Sequence, residues 1–272
     1  MKSKHLIALD LDGTLLTDEK IISERTLKAI EQLKIAGHEI VISTGRPYRA
    51  SKMYYDQLKL TTPIVNFNGA YVHHPLDNSW GVYHESLPLE VAKEVISSCR
   101  EYALKNLYAE VLDDIYADVH EEHIMPMFEY VKDEIIHGDL LSNLQHAPTC
   151  LLIDSDEAHV SSIREHLSDV HAEVIDHRRW AAPHHIIEVV KAGMNKAVGL
   201  QKVASYYNIP RKNIIAFGDE DNDLEMIEYA GHGVAMNNAI EPLKQLAKHT
   251  TLSNQEDGIA IFLEDFFQLK RN

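Results

Sequence analysis

Both ends of the chain are written in one grammar, and that grammar leaves few folds open. Short apolar runs without polar alternation are each followed by a stretch of helical periodicity. Near the start, "HLIALDL" precedes "SERTLKAIEQLKIAG", where Ser23 is placed to cap a helix, Leu27, Ile30 and Leu33 share a face, and Gly37 marks the stop. "HEIVIST" precedes the helical "RPYRASKMYYDQLKL", and "PIVNFNG" supplies a third strand. Towards the end, helix "MNKAVGLQKVASYYNI", strand "NIIAFGD", helix "DLEMIEYAG", strand "HGVAM" and helix "AIEPLKQLAKH" repeat the pattern. A strand that is apolar at every position must be covered on both faces, the condition of a parallel sheet between two helical layers. The expected class is α/β: a doubly wound, parallel-sheet, Rossmann-like core.

The middle departs from this. "LYAEVLDDIYADV", "TCLLIDS" and "HHIIEVV" read as strands and "PLEVAKEVISSCREYAL" and "SDEAHVSSIREHLS" as helices, without the acid or hydroxyl-glycine signatures found at both ends. Residues 83–188 are therefore expected to form an inserted α+β domain, with 1–82 and 189–272 forming the core. Two adjacent crossings between core and insert are expected to act as a hinge. The aromatic and histidine pieces "DDIYADVHEEH" and "RRWAAPHH" fall in the insert, where lid lining and ordinary packing account for them equally well.

Composition narrows the partners. The 272 residues suit one large or two modest domains, and 45% hydrophobic content is enough for a core. Asp and Glu number 42 against 26 Lys and Arg, a net charge of −16. That balance argues against a nucleic-acid groove or an anionic membrane surface, both of which need basic patches. It suits an enzyme that holds a cation. Cys99 and Cys150 have no CxxC spacing, which points to a reducing compartment. Asp10 and Asp12 interrupt the apolar stretch near the start, so it is no signal-peptide core. Apolar runs fall far short of the roughly 20 residues that span a bilayer. A cytoplasmic protein is the expectation. The 17 histidines are scattered and form no HExxH or Cys/His cluster, so surface and packing roles are expected for them.

The chemistry gathers at four places, three of them at the carboxyl ends of expected core strands, where open α/β sheets bind ligands. They are "DLDGT" (Asp10 to Thr14), "STGR" (Ser43 to Arg46), Lys196 near a helix start, and "GDEDND" (Gly218 to Asp223). Asp10, ending the first strand, can attack phosphorus as a carboxylate nucleophile. Asp12 lies two residues on, on the same face of an extended chain, where it can move a proton as general acid and base. Thr44 offers a hydroxyl and Gly45 an amide to a phosphoryl oxygen. Lys196 offsets negative charge. Asp219, with Asn222 and Asp223 nearby, brings hard oxygen donors suited to Mg²⁺.

In residue types and order these stretches resemble the haloacid dehalogenase superfamily. "DLDGTLL" is similar to its first motif, "STGRP" to its second, Lys196 to its third and "GDEDNDLEMI" to its fourth. "TGRP", Asn68-Gly69 and "GDxxNDxxM" together resemble the Cof-type branch, which inserts a large cap after the third strand. The resemblance implies a Mg²⁺-dependent phosphatase acting on sugar phosphates or other small phosphorylated metabolites, such as flavin or pyridoxal phosphates. It implies Asp10 as nucleophile and Asp12 as general acid/base. Leu11, Thr44, Gly45, Lys196 and Asn222 would contact phosphate. Asp10, Asp12 through its backbone carbonyl region, Asp219 and Asp223 would hold the metal. Arg46 and Asn68 are candidate substrate contacts, although Asn-Gly is also a turn signal and Arg46 can simply pair with a carboxylate. A phosphomutase fits the same acids. A phospho-aspartate signalling receiver fits poorly, because receivers carry no inserted cap and place the acceptor on a later strand.

Overall fold

The computed structural model describes residues 3–118, 125, 128, 131, 134–171, 173–179 and 185–270. Of the two histidine-bearing pieces in the middle of the chain, residues 119–123 and 180–184 lie outside that set.

The chain forms two compact units, Met1–Tyr83 with Asn195–Asn272, and His84–Met194. The first unit begins with β1 (Leu6–Leu9), α1 (Glu24–Ile35), β2 (Glu39–Ile42), α2 (Tyr48–Gln57), β3 (Ile64–Asn66) and β4 (Tyr71–His73), followed by β5 (Val82–His84) at the crossing. The second unit contains α3 (Leu89–Cys99), β6 (Leu104–Val111), β7 (Asp114–Ala117), β8 (Ile136–His137), α4 (Leu140–Asn143), β9 (Cys150–Ser155), α5 (Glu157–His171), β10 (Ile175–Arg179) and β11 (Ile186–Lys191). The first unit resumes with α6 (Lys196–Tyr206), β12 (Ile214–Gly218), α7 (Leu224–Tyr229), β13 (His232–Ala235), α8 (Glu241–Leu246), β14 (His249–Thr250) and α9 (Gly258–Phe267).

The first unit has the expected class. Its main sheet runs β14-β13-β12-β1-β2, every pairing parallel. Alternate residues divide between two cores. Ile7, Leu9, Ile40, Ile42, Ile215 and Phe217 pack with Ile30 and Leu33 of α1, Tyr54 and Tyr55 of α2, and Ile259 and Leu263 of α9. Leu6, Ala8, Val41, Ile214 and Ala216 pack with Leu200 and Val203 of α6 and Met226 and Ile227 of α7. Both faces are buried, which is why these strands are apolar throughout. Ser23 caps α1 by accepting from the Thr26 N–H, and Gly37 follows the helix at φ +88°.

Three features differ from the expectation. β3 joins the parallel sheet only through the bridge Ser43–Val65 and instead pairs antiparallel with β4 in a three-stranded sheet completed by β5. A last helix, α9, closes the α1 side of the core. The return to the first unit comes after Met194 and not at 188/189, because β11 runs on to Lys191, paired with β9 and β10 in the second unit.

The second unit is α+β. Its six-stranded sheet has the order β10-β11-β9-β6-β7-β8, antiparallel except for β7 with β8. Leu107, Leu151, Ile153, Ile187 and Val189 on one face bury against Val95 and Ile96 of α3 and Ile163 and Leu167 of α5. Among the described residues, no helix is long and apolar enough to cross a membrane.

Candidate active site

β1 sits between β12 and β2, where the chain order of the sheet reverses, and the carboxyl ends of β1 and β12 open the crevice that such a reversal creates. Asp10 is the first residue past β1, and its N–H donates to Phe217 O at 3.3 Å. Asp219 is the first residue past β12. Asp223 opens α7 and turns back, its Oδ2 accepting from the N–H groups of Asp219 at 3.0 Å and Glu220 at 3.2 Å. Oxygens of Asp10, Asp219 and Asp223 lie within 4.8 Å of one another, and all three residues are buried.

Lys196 stands at the first position of α6, after Asn195, whose side chain caps the helix on the Val198 N–H. Its ammonium, fully buried, donates to Asp10 Oδ1 at 2.6 Å and Asp223 Oδ1 at 2.7 Å. Gly69 permits this placement. It has φ +93°, and a Cβ there would stand 2.1 Å from the Asn195 carbonyl oxygen, so only glycine lets the turn meet the start of α6.

Asp219 is gripped by neutral donors. Thr14 Oγ1 donates to its Oδ1 at 2.7 Å, and Asn238 Nδ2 approaches its Oδ2 at 3.4 Å. Gly13, at φ +74°, passes so close that a Cβ would lie 2.1 Å from Asp219 Oδ2. Burial above all, and then the charges of Asp10 and Asp223, raise the Asp219 carboxyl to about 8. Asp10 is raised to about 7, chiefly by burial, with Lys196 opposing and Asp223 adding. Burial alone would lower Lys196, but its two carboxylate partners hold it above an ordinary lysine. Three crowded carboxylates with one ammonium, two of them reluctant to ionise, are a donor set that fits a hard divalent cation.

Asp12 lies apart from this group. Its carboxylate is taken up by Arg46, Nε to Oδ2 and Nη2 to Oδ1, both at 2.6 Å, and by Lys20 Nζ to Oδ1 at 2.7 Å. Burial opposes ionisation, but Arg46 and then Lys20 outweigh it and hold Asp12 down to about 2. Both oxygens of the Asp12 side chain are engaged with cations.

The remaining expected residues gather nearby. The Leu11 side chain is buried in the α1-side core, which leaves its main chain for the site. Thr44 is buried, and its Oγ1 accepts from the Arg46 N–H at 3.1 Å, so its own hydroxyl proton remains to donate. Asn68 has left-handed backbone angles, donates its N–H to Thr44 O at 3.1 Å, and packs its amide against Gly45. Asn222 Nδ2 donates to Asn68 Oδ1 at 3.1 Å, so these two meet each other. Thr14, Lys20 and Asn238 are additional. Thr14 stands inside the first motif, and its hydroxyl was the readable signal; nothing local marks Lys20 or Asn238.

A family model for haloacid dehalogenase-like hydrolases matches residues 7–263. The chain belongs to the haloacid dehalogenase-like hydrolases. Relatives in this family include the 5-amino-6-(5-phospho-D-ribitylamino)uracil phosphatase YitU of Bacillus subtilis, 60% identical over 97% of this chain and 98% of YitU. The phosphatase YwtE of the same organism, which bears the same substrate name, is 31% identical over 95% of this chain and 96% of its own. A crystal structure of a haloacid dehalogenase-like hydrolase from Bacteroides thetaiotaomicron matches with TM-score 0.83 and 29% identity, covering 97% of this chain and all of that one.

Proposed function

We infer that this haloacid dehalogenase-like hydrolase is a Mg²⁺-dependent phosphatase working through a phosphorylated Asp10, with 5-amino-6-(5-phospho-D-ribitylamino)uracil as its substrate. The observation that carries the chemistry is Asp10 just past the carboxyl end of β1, bonded to Lys196 beside Asp219 and Asp223. The substrate rests on the likeness to YitU, whose identity spans nearly the full length of both chains.

Asp10, Asp219 and Asp223, with the main chain of Asp12, would hold Mg²⁺, which when bound offsets the charge of the carboxylates and of the phosphoryl oxygens. Lys196 favours the ionised form of Asp10 and orients it. The Thr44 hydroxyl and the amides of Leu11 and Gly45 bind phosphoryl oxygens, with Asn222 and Asn68 beside them. Asp10 attacks phosphorus, forming the acyl–phosphate bond as the ester P–O bond breaks, and Asp12, once it has left Arg46 and taken a proton from solvent, gives that proton to the departing oxygen. Asp12 then takes a proton from water as that water attacks phosphorus, releasing inorganic phosphate and restoring Asp10. The acid role requires Asp12 to leave the Arg46 pair, so Arg46 controls when that carboxyl is available.

The test is a panel of phosphate monoesters with Mg²⁺ and with chelator. The ribitylaminouracil phosphate should give the highest kcat/KM, above pyridoxal phosphate, flavin mononucleotide and hexose phosphates. A hexose phosphate leading the panel would overturn the substrate, and full activity in chelator would overturn the metal.

A further inference from the structure

We propose that Asn238, in the loop between β13 and α8, is a positioning residue for Asp219, and that Asn254 fixes it there. This rests on the reading of Asp10, Asp219 and Asp223 as a cation site.

Asn238 is exposed, yet both polar atoms of its side chain are used. One Nδ2 hydrogen bonds Gly13 O at 2.7 Å, and the same nitrogen lies 3.4 Å from Asp219 Oδ2. Its Oδ1 accepts from the Asn254 N–H at 3.2 Å. Asn254 in turn donates its amide to Leu16 O at 2.9 Å and to Asp18 Oδ1 at 3.3 Å. The two asparagines therefore hold both ends of the 13–18 loop that follows the paired acids. The same stretch grips the main chain at Asp219: Met236 N–H donates to Gly218 O at 3.1 Å and Ile240 N–H to Asp219 O at 2.9 Å.

An asparagine suits this place for a specific reason. Its amide carries two hydrogens, one for a carbonyl and one for a carboxylate, and its oxygen accepts a third bond. Thr14 directs Asp219 from the Oδ1 side, and Asn238 does so from the Oδ2 side. A carboxylate held at both oxygens by neutral donors has a fixed plane and no cation competing for it, which is what outer partners of metal ligands supply. Asn238 also ties that plane to Gly13, and so to the strand end that carries Asp10.

The test uses Mn²⁺ as a spin probe. Free Mn²⁺ is titrated by electron paramagnetic resonance against the full-length protein, wild type, Asn238→Ala and Asn254→Ala, and the thermal midpoint of each metal-free form is recorded. Asn238→Ala should weaken Mn²⁺ binding on the order of 10-fold, within the range for lost outer partners. Asn254→Ala, which keeps the main-chain bond to Asn238 and loses only those to Leu16 and Asp18, should weaken it in the same direction and by less. The metal-free midpoints should stay together, because Asn238 lies at the surface. Tight Mn²⁺ binding by the wild type with an Asn238→Ala Kd within about twofold of it, or a loss matched by a lowered metal-free midpoint, overturns the positioning role. No Mn²⁺ binding by the wild type overturns the cation reading itself.

Discussion

Arg46 closes on Asp12 through two parallel bonds, Nε to Oδ2 and Nη2 to Oδ1, each 2.6 Å long. The fork geometry matches a carboxylate, and Lys20 adds a third bond from the exposed side. The residue proposed to carry a proton is thereby held ionised and outside the buried acid group.

That arrangement makes the importance of Asp12 depend on the leaving group. An alkoxide such as a ribityl oxygen leaves poorly without a proton, whereas a nitrophenolate needs little help. Asp12→Asn should lower kcat on the ribitylaminouracil phosphate by about 10²–10⁴-fold, the scale of a positioned acid/base. On p-nitrophenyl phosphate the loss in the first chemical step should be clearly smaller. Rapid-quench measurement of the first turnover on both substrates decides it, and equal losses would count against the acid role.

The acid group predicts a pH-dependent response to cations. Burial raises Asp10 and Asp219 above the ordinary carboxylate value near 4, against the pull of Lys196 at Asp10 and with the charges of Asp10 and Asp223 adding at Asp219. Between about pH 4 and about pH 8 the folded, cation-free protein therefore retains protons that the unfolded chain has released. Its stability falls as pH rises through that window. Cation binding needs those carboxylates ionised, so it is stronger at the upper end. The thermal midpoint in chelator should drop from about pH 6 to about pH 8.5, and the upward shift with Mg²⁺ should be larger at the higher pH. Equal Mg²⁺ shifts at both pH values contradict the account.

Lys196 is the ammonium shared by Asp10 and Asp223, and it is fully buried. Removing one partner of such a set leaves uncompensated charge inside the protein, at a cost of about 3–5 kcal/mol. Lys196→Met should lose that much in urea unfolding at alkaline pH without metal, and less at acid pH, where the carboxyls are protonated. Turnover should be lost as well. A loss of under about 1 kcal/mol at alkaline pH would mean that the ammonium does not hold the acids together.

The parts legible in the sequence are those set by local pattern. Ile7 and Leu9 against Leu6 and Ala8 announce a strand buried on both faces, and Ser23 and Gly37 bound α1. Asp10 and Asp219 were legible as strand-end acids, and their meeting followed from the topology that the strands impose. What escaped depends on distant pairing. The turn of β3 away from the parallel sheet is set by β4 and β5, not by its own residues. In α9, "GIAIFLEDFF", crowded apolar residues blur the helical period. The side-chain position of Asp12 is fixed by Arg46, 34 residues later, and by Lys20, whose carbonyl Tyr54 holds from α2. Asn238 and Asn254 look like ordinary loop asparagines until the fold brings them to Gly13 and Leu16.

The central claim is that Asp10 carries the phosphoryl group. Acid-quenched turnover with Mg²⁺, followed by borohydride reduction and peptide mass spectrometry, reads it directly, because an acyl phosphate is reduced to an alcohol at the residue that held it. The account predicts reduction at position 10, dependent on substrate and Mg²⁺, and absent in Asp10→Asn, which should also be inactive. Modification at another residue, or wild-type turnover by Asp10→Asn, would contradict it.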